Sequence, residues 1–280
     1  MQVTLWGTRG SLATPGPETA RYGGNTSCVG VRGREGTVLV LDAGTGIRRL
    51  ASSLDASVRR VDIMLTHLHM DHIQGLGFFA PLYRSDVAVR IWGPVGSKLT
   101  LRERLMRYLS PPLFPVSLRE LPSAITLHEV PCGDIDIGEF RVSSSLVCHP
   151  GPTVGYRVTD PRGGVLTYLP DHEPALGVSR FPSLPREWTS GGALAAGADL
   201  LIHDSQYNTH EYAGKIGWGH SSLKQALDFG TLSEVRQLVP FHHDPGHTDI
   251  DLDHLMAAAI DDAKPAYRVT PGIEGATFEL

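Results

Sequence analysis

Apolar residues fall in short runs separated by turn residues, and the period of the runs changes along the chain. Residues 3–6, Cys28–Arg32 and 37–41 are brief apolar stretches bounded by polar or glycine-rich segments, which predicts strands. Residues 7–25 are rich in Gly, Pro and Thr and predict a loop. A short helix is predicted over 47–54, a buried strand over 61–66 (VDIMLT) and another strand over 87–92. Residues 97–109 predict a helix, with Leu99, Leu105, Met106 and Leu109 near one face, before Pro111, Pro112 and Pro115 break the chain. Strands follow at 125–130, 139–147, 153–158 and Val165–Leu169. The last third alternates a strand at 199–203, a helix at 221–229, a strand at 236–242 and a helix at Asp249–Ala263. Thr248 as N-cap with Asp251 three residues on, and Lys264 then Pro265, bound that last helix. Strands followed by strand–helix units, twice over, predict an α/β chain in which helices sandwich two mixed sheets. With neither repeat nor linker, residues 1–280 are expected to form one domain, with 97–121 as a lid or insertion.

Composition narrows the setting more than the chemistry. The 280 residues are 41% hydrophobic and 20% charged, which excludes a disordered or fibrous chain. A net charge of −5 provides no overall field for nucleic acid or an anionic membrane. The N-terminus lacks the basic flank and apolar core of a signal peptide, and no run approaches the roughly 18 apolar residues of a membrane span. Three cysteines, Cys28, Cys132 and Cys148, are too few for a disulfide scaffold, so a reducing, cytoplasmic setting is expected and each cysteine reads as packing. The unusual feature is 13 histidines.

Four ionisable groups, His67, His69, Asp71 and His72, sit within six residues directly after the VDIMLT strand. In extended backbone residues two apart share a face, so His67 and His69 can converge on one point. Asp71 and His72 open the following segment and can face a second point. Chance alone gives His-x-His-x-Asp-His in roughly two of a thousand sequences of this composition. A solvated polar loop is the plainer account, but four such groups repel when charged and are costly to bury unpaired unless a cation gathers them. Imidazole and carboxylate donors suit zinc, iron or manganese.

HLHMDH after an apolar strand resembles the ligand motif of the metallo-β-lactamase-fold hydrolase superfamily. The likeness runs in order through LVLDAGTG (residues 39–46), His149 after RVSSSLVC, Asp171 in TYLPDH and His242 in LVPFHH. It implies a four-layer αββα sandwich of two mixed β-sheets. It also implies two divalent metals, zinc first with manganese or iron as alternatives. His67, His69 and His149 would hold one metal, Asp71, His72 and His242 the other, with Asp171 bridging. Pro170-Asp171-His172 departs from the usual Gly-Asp-Thr, and the final histidine is doubled; strand-end register favours His242 over His243. Two divalent ions exceed the charge of Asp71 and Asp171, which leaves room for a bridging hydroxide and an anionic substrate. Asp71 is therefore both a ligand and a catalytic residue in this reading, and Asp42 a brace behind the ligand loops.

Residues 198–207 (ADLLIHDSQY) and 218–223 (WGHSSL) resemble segments of the RNase Z and cyclic-phosphodiesterase branch. There an acid and a histidine form a proton-donating pair for the leaving alkoxide, which maps onto Asp204 and His220. Asp204 stands where glutamate is usual, and an N-cap role for His220 is the plain alternative. The expected function is thus a dinuclear phosphodiesterase. The alternatives are hydrolysis of a lactone, thioester or β-lactam on the same fold, or a binding or sensing protein without turnover. Only 22 positions separate His149 from Asp171, leaving no room there for the protruding arm of tRNA-processing members. Together with the charge of −5, this predicts a small anionic substrate, with large RNA and membranes not expected and a homodimer left open. In 97–121, Tyr108 or Phe114 could contact an organic group, though a solvated helix and rigid turn is the plainer account. Arg9, Arg21 and Asn25 could bind a phosphate, against a plain Gly/Pro connector. His128, His172, His210, His247 and His254 read as surface or hydrogen-bonded, and His203 as a strand end.

Overall fold

A computed structural model describes residues 1–130, 132–177 and 185–280. Two seven-stranded sheets face each other. The first contains β1 (Gln2–Gly7), β2 (Cys28–Arg32), β3 (Val38–Leu41), β4 (Arg60–Met64), β5 (Ala88–Pro94) and β6 (Ala124–Val130). The second contains β7 (Gly133–Ile137), β8 (Phe140–Leu146), β9 (Val154–Thr159), β10 (Val165–Leu169), β11 (Leu200–Asp204), β12 (Gln237–Phe241) and β13 (Arg268–Val269). The last strand, β14 (Thr277–Glu279), returns to pair with β1. Strand orders are β14-β1-β2-β3-β4-β5-β6 and β13-β12-β11-β10-β9-β8-β7.

Period-two alternation builds the layers. Leu39 and Leu41 of β3 face inward with Val3, Leu5, Tyr156, Ile202 and Phe241, all buried between the sheets. Val38 and Val40 face outward onto α1 (Ile47–Ser53) through Ile47 and Leu50. On the other sheet Leu201 and Leu238 face outward, beneath Ala226, Leu227 and Phe229 of the later helix Leu223–Leu232. Strands buried on both faces read as continuous apolar runs, which is why β3, β10 and β11 carry so few polar residues. The expected α/β sandwich of two mixed sheets is the observed fold.

The helices after α1 are α2 (Met70–Ile73), α3 (Leu101–Leu105), α4 (Gly192–Ala195), α5 (Thr209–Ala213), α6 (Leu223–Leu232) and α7 (Asp249–Ala263). The helix expected over 97–109 is shorter than its pattern. Thr100 accepts the Glu103 N–H and the Glu103 carboxylate accepts the Thr100 N–H, which starts the helix at Leu101. Pro111 and Pro112 forbid its extension. Thr248 and Asp251 make the expected capping box on α7. The polar strand β7 and short β14 carry too little apolar pattern to be read from sequence, and each is held by one neighbour. No helix among the described residues is long and apolar enough to cross a membrane.

β4, β8, β10, β11 and β12 all end at one rim. Each hands the chain to a loop or short helix carrying His or Asp. Ligand sites at the carboxyl ends of parallel strands are the general habit of open α/β sheets.

Candidate metal centre

β4 ends one residue before Leu65, and the extended chain then places His67 and His69 on one side. Turning into α2 puts Asp71 and His72 on the other. His149 follows β8, Asp171 follows β10 and His242 follows β12. Ligand atoms of His67, His69, His149 and Asp171 lie within 4.8 Å of one another, as do those of Asp71, His72, Asp171 and His242. Asp171 divides its oxygens between the two sets. Oδ2 lies 3.6 Å from His67 Nε2 and 3.8 Å from His149 Nε2, while Oδ1 lies 2.9 Å from His72 Nε2 and 3.3 Å from His242 Nε2. All seven candidate ligands therefore meet, from four separate stretches of chain.

Outer partners turn four of the rings the same way. His72 Nδ1–H donates to Asp42 Oδ2 (2.8 Å), His149 Nδ1–H to the Gly219 carbonyl (2.9 Å) and His242 Nδ1–H to Gln206 Oε1 (3.2 Å). Thr66 Oγ1 donates to Asp42 and so accepts from His67 Nδ1–H at 3.1 Å. Each ring is left with its Nε2 lone pair aimed at the centre. The Nε2 atoms of His67 and His72 and Oδ1 of Asp171 are buried without a hydrogen-bond partner. Buried acceptors converging on one another are costly unless a cation lies among them, so the donor set fits the two divalent ions that the fold implies.

The electrostatics agree. Burial pushes the His67 and His149 rings below their ordinary pKa, which keeps them neutral ligands. Burial would raise Asp171, but the His242, His72 and His67 rings outweigh it and hold the carboxyl well below the usual range. Burial likewise opposes charge on His72, yet Asp171, Asp71 and Asp42 surround that ring and demand positive charge beside it.

Asp42 braces the centre as expected. Its carboxylate also accepts from Thr66 N–H (2.7 Å) and Tyr168 O–H (3.0 Å). Ser11 N–H donates to Asp71 Oδ2 (2.8 Å), and a Cβ on Gly10 would stand 2.3 Å from His242 Nδ1, so that approach needs glycine. The doubled histidine separates cleanly: His242 Nε2 lies 3.1 Å from Asp71 Oδ2, while His243 donates its Nε2–H to the Gly272 carbonyl.

Asp204 and His220 also meet. His220 Nδ1–H donates to Asp204 Oδ2 at 2.7 Å and stands 3.9 Å from Asp171 Oδ2. Burial opposes charge on His220, but the Asp204 carboxylate reverses this and the ring is pushed up to about 9. The loop carrying His220 is fixed by Glu173, whose buried carboxylate accepts the N–H groups of Gly217 and Gly219.

Sequence reasoning missed a buried chain behind these residues. Cys148 N–H donates to Ser190 Oγ, Ser190 O–H to His172 Nε2, His172 Nδ1–H to His203 Nε2, and His203 Nδ1–H to the Asp204 carbonyl. The final carbonyl can only accept, which fixes every tautomer in the series. Cys148, His172 and His203 each adjoin a site residue, namely His149, Asp171 and Asp204. That adjacency was the available signal; His172 is hydrogen-bonded and His203 lies at the end of β11, as read, and both are buried. Several other sequence candidates are engaged elsewhere. Arg9 is wholly buried and donates to the carbonyls of Gly23, Asp244 and His247. Arg21 pairs with Asp253 and Asn25 with Glu274, so this loop is a connector. Phe114 is packed in the core against Phe78 and Tyr108, out of reach of a substrate. Cys132 is exposed, not packed.

The family model described as "Beta-lactamase superfamily domain" matches residues 37–243. The ribonuclease Z of Gemmatimonas aurantiaca is 28% identical over 251 residues, covering 75% of this chain and 77% of that protein. Human tRNase Z, short form, superposes with a TM-score of 0.67 at 22% identity, covering 100% of this chain and 99% of that one. The metallo-β-lactamase-fold protein YhfI from Bacillus subtilis gives a TM-score of 0.68 at 18% identity, covering 100% and 98%. The likeness to ribonuclease Z overturns the expectation of a small-molecule substrate with large RNA not expected, because that relative is a ribonuclease by name. The short His149–Asp171 spacing and the net charge of −5 had pointed away from RNA. A sum of −5 does not describe Lys98, Arg104 and Arg107, which line the cavity beside His67 and His69.

Proposed function

The chain belongs to the beta-lactamase superfamily, and on that premise we propose that it is a metal-dependent phosphodiesterase that hydrolyses RNA. Family and side-chain clusters together make it a metal-dependent hydrolase with the makings of a dinuclear site. His67, His69 and His149 hold one ion in this proposal, and Asp71, His72 and His242 the other, with Asp171 shared. Zinc is the proposed metal, given the imidazole-rich set. When bound, the ions supply an activated water and polarise the phosphoryl oxygens.

The observation that carries the phosphodiester reading is the Asp204–His220 pair at 2.7 Å, set against the shared carboxylate. Breaking a phosphodiester P–O bond expels an alkoxide, a poor leaving group until protonated. His220 has given Nδ1 to Asp204 and holds its other proton on Nε2 for that oxygen. Asp204 fixes the ring and keeps it charged. A thiolate leaving group would need no such pair. The ribonuclease Z relatives and the cations beside the centre support RNA as the carrier of the bond. The pairing of β1 with β14 supports reading residues 1–280 as one domain, and a cytoplasmic setting completes the proposal.

The test is cleavage of a transcribed precursor tRNA and of an unstructured RNA by metal-loaded protein. Both reactions should stop with chelator, and cleavage by the His220→Ala variant should slow about 10²–10⁴-fold at unchanged metal content. No RNA cleavage, with turnover of a lactone or thioester instead, would refute the phosphodiester assignment.

A further inference from the structure

A cavity of about 480 Å³ opens beside the centre and has His67 and His69 in its wall. It extends away from them toward the segment after β5, and that volume falls within the ~300–1,000 Å³ typical of pockets that take small organic groups. Two kinds of wall meet there. Tyr108 gives a half-buried aromatic face, its hydroxyl tied to the Gln74 carbonyl at 2.5 Å, and Leu113 adds an apolar side chain that is 70% exposed. Lys98 and Arg107, both exposed, line the same cavity. Neither has a carboxylate or side-chain hydrogen-bond partner among the described residues, whereas Arg104 next to them is engaged by the Pro94 carbonyl and by Glu129 at 3.7 Å. Two unpaired cations on a chain of net charge −5, beside an aromatic face and a candidate metal centre, make a wall with surplus positive charge that the fold itself does not use.

We propose that this cavity is a nucleotide subsite: Tyr108 and Leu113 take one base, and Lys98 and Arg107 take the phosphate next to the scissile one. The inference rests on the RNA reading above and names where one neighbouring residue of the strand lies. Bases stack on aromatic faces whatever their identity, and flanking phosphates are bound by Lys and Arg with release of counterions. The cavity wall includes neither Asp204 nor His220. It therefore serves the side of the substrate that keeps its phosphate, not the departing alkoxide. Specificity here comes from shape and charge, so the subsite tolerates any base.

Binding distinguishes this from the parent reading without relying on turnover. The probe is a fluorescein-labelled, 2′-O-methyl, phosphorothioate 12-mer, and anisotropy gives Kd for the full-length protein between 50 and 200 mM KCl. The double variant Lys98→Glu/Arg107→Glu should bind roughly tenfold or more weakly. Its log–log salt slope should be shallower by about 0.7, the value for one phosphate neutralised on a single strand. Leu113→Ser, at a position that is 70% exposed, should weaken binding without changing the slope. Arg48→Glu, remote from the cavity, should do neither. Equal affinity and slope for wild type and double variant would overturn the subsite while leaving RNA as substrate. Failure of the wild-type protein to bind the probe at 50 mM KCl would overturn the RNA reading and the subsite with it.

Discussion

The two halves of the candidate metal centre are built differently, although each takes two residues from the same six-residue motif. The half made by Asp71, His72 and His242 is sealed. His72 and His242 are wholly buried, and Asp42, Gln206 and the Ser11 N–H hold its donors from behind. The half made by His67, His69 and His149 opens on the cavity. His69 is exposed, and its one hydrogen-bonding contact is with another candidate ligand, His149, at 3.2 Å. Among the described residues that ring has no outer partner, so a bound ion would be what places it. The sealed half is preorganised by the protein, and the open half leaves space for substrate.

The largest effect should come from the residue both halves share. Asp171→Ala should lose both ions and bring hydrolysis to background, read by metal analysis and a diester assay together. Retention of one ion would show that the halves do not depend on a common carboxylate. The single variants His69→Ala and His242→Ala should each lose one ion from about two per chain. They should differ in stability: removing His242 leaves Gln206 and Asp71 facing a buried gap, whereas His69 is at the surface, so only His242→Ala should lower Tm appreciably.

Much of this centre was legible because metal ligation imposes residue types that composition rarely supplies by chance. His67, His69, Asp71 and His72 lie within one motif, and the family resemblance, followed in order along the strand ends, pointed to His149, Asp171 and His242. The sandwich was legible for a related reason: strands buried on both faces, such as β3 and β10, are continuous apolar runs. What escaped reading depends on tertiary neighbours. The His172–His203 series runs through single hydrogen bonds between segments far apart in sequence, and histidine looks the same at a surface as in a chain of fixed tautomers. The helix at 97–109 was over-read because periodicity ignores where a cap starts it, and the substrate was misread because net charge averages over clustered cations.

A smaller effect tests the bracing directly. Asp42→Ala removes the acceptor of His72 Nδ1–H together with those of Thr66 and Tyr168. Metal affinity at the sealed half should fall about 10–100-fold, measured by competition with a chromogenic chelator, with a lesser change at the open half. Equal losses at both would dissolve the distinction between them.

The smallest expected change is in pH dependence. Asp204 pushes His220 up to about 9, above the ~6.5 of an unperturbed histidine, so the pair's contribution is complete below that lower value and is lost as pH rises through about 9. Turnover should therefore decline above about pH 9. In Asp204→Asn the strongest influence opposing the burial of His220 is gone and only Asp171 and Asp71 still favour its charge, so the decline should move to lower pH with metal content unchanged. An alkaline limb that stays in place would remove His220 as proton donor.

Anomalous diffraction from crystals grown with zinc, collected on both sides of the absorption edge, reads the centre itself. Two peaks about 3.5–4 Å apart are predicted, one on each side of Asp171, the first touching His67, His69 and His149 and the second Asp71, His72 and His242. A lone peak, or peaks that leave Asp171 uncoordinated, would contradict a shared carboxylate between a sealed and an open half.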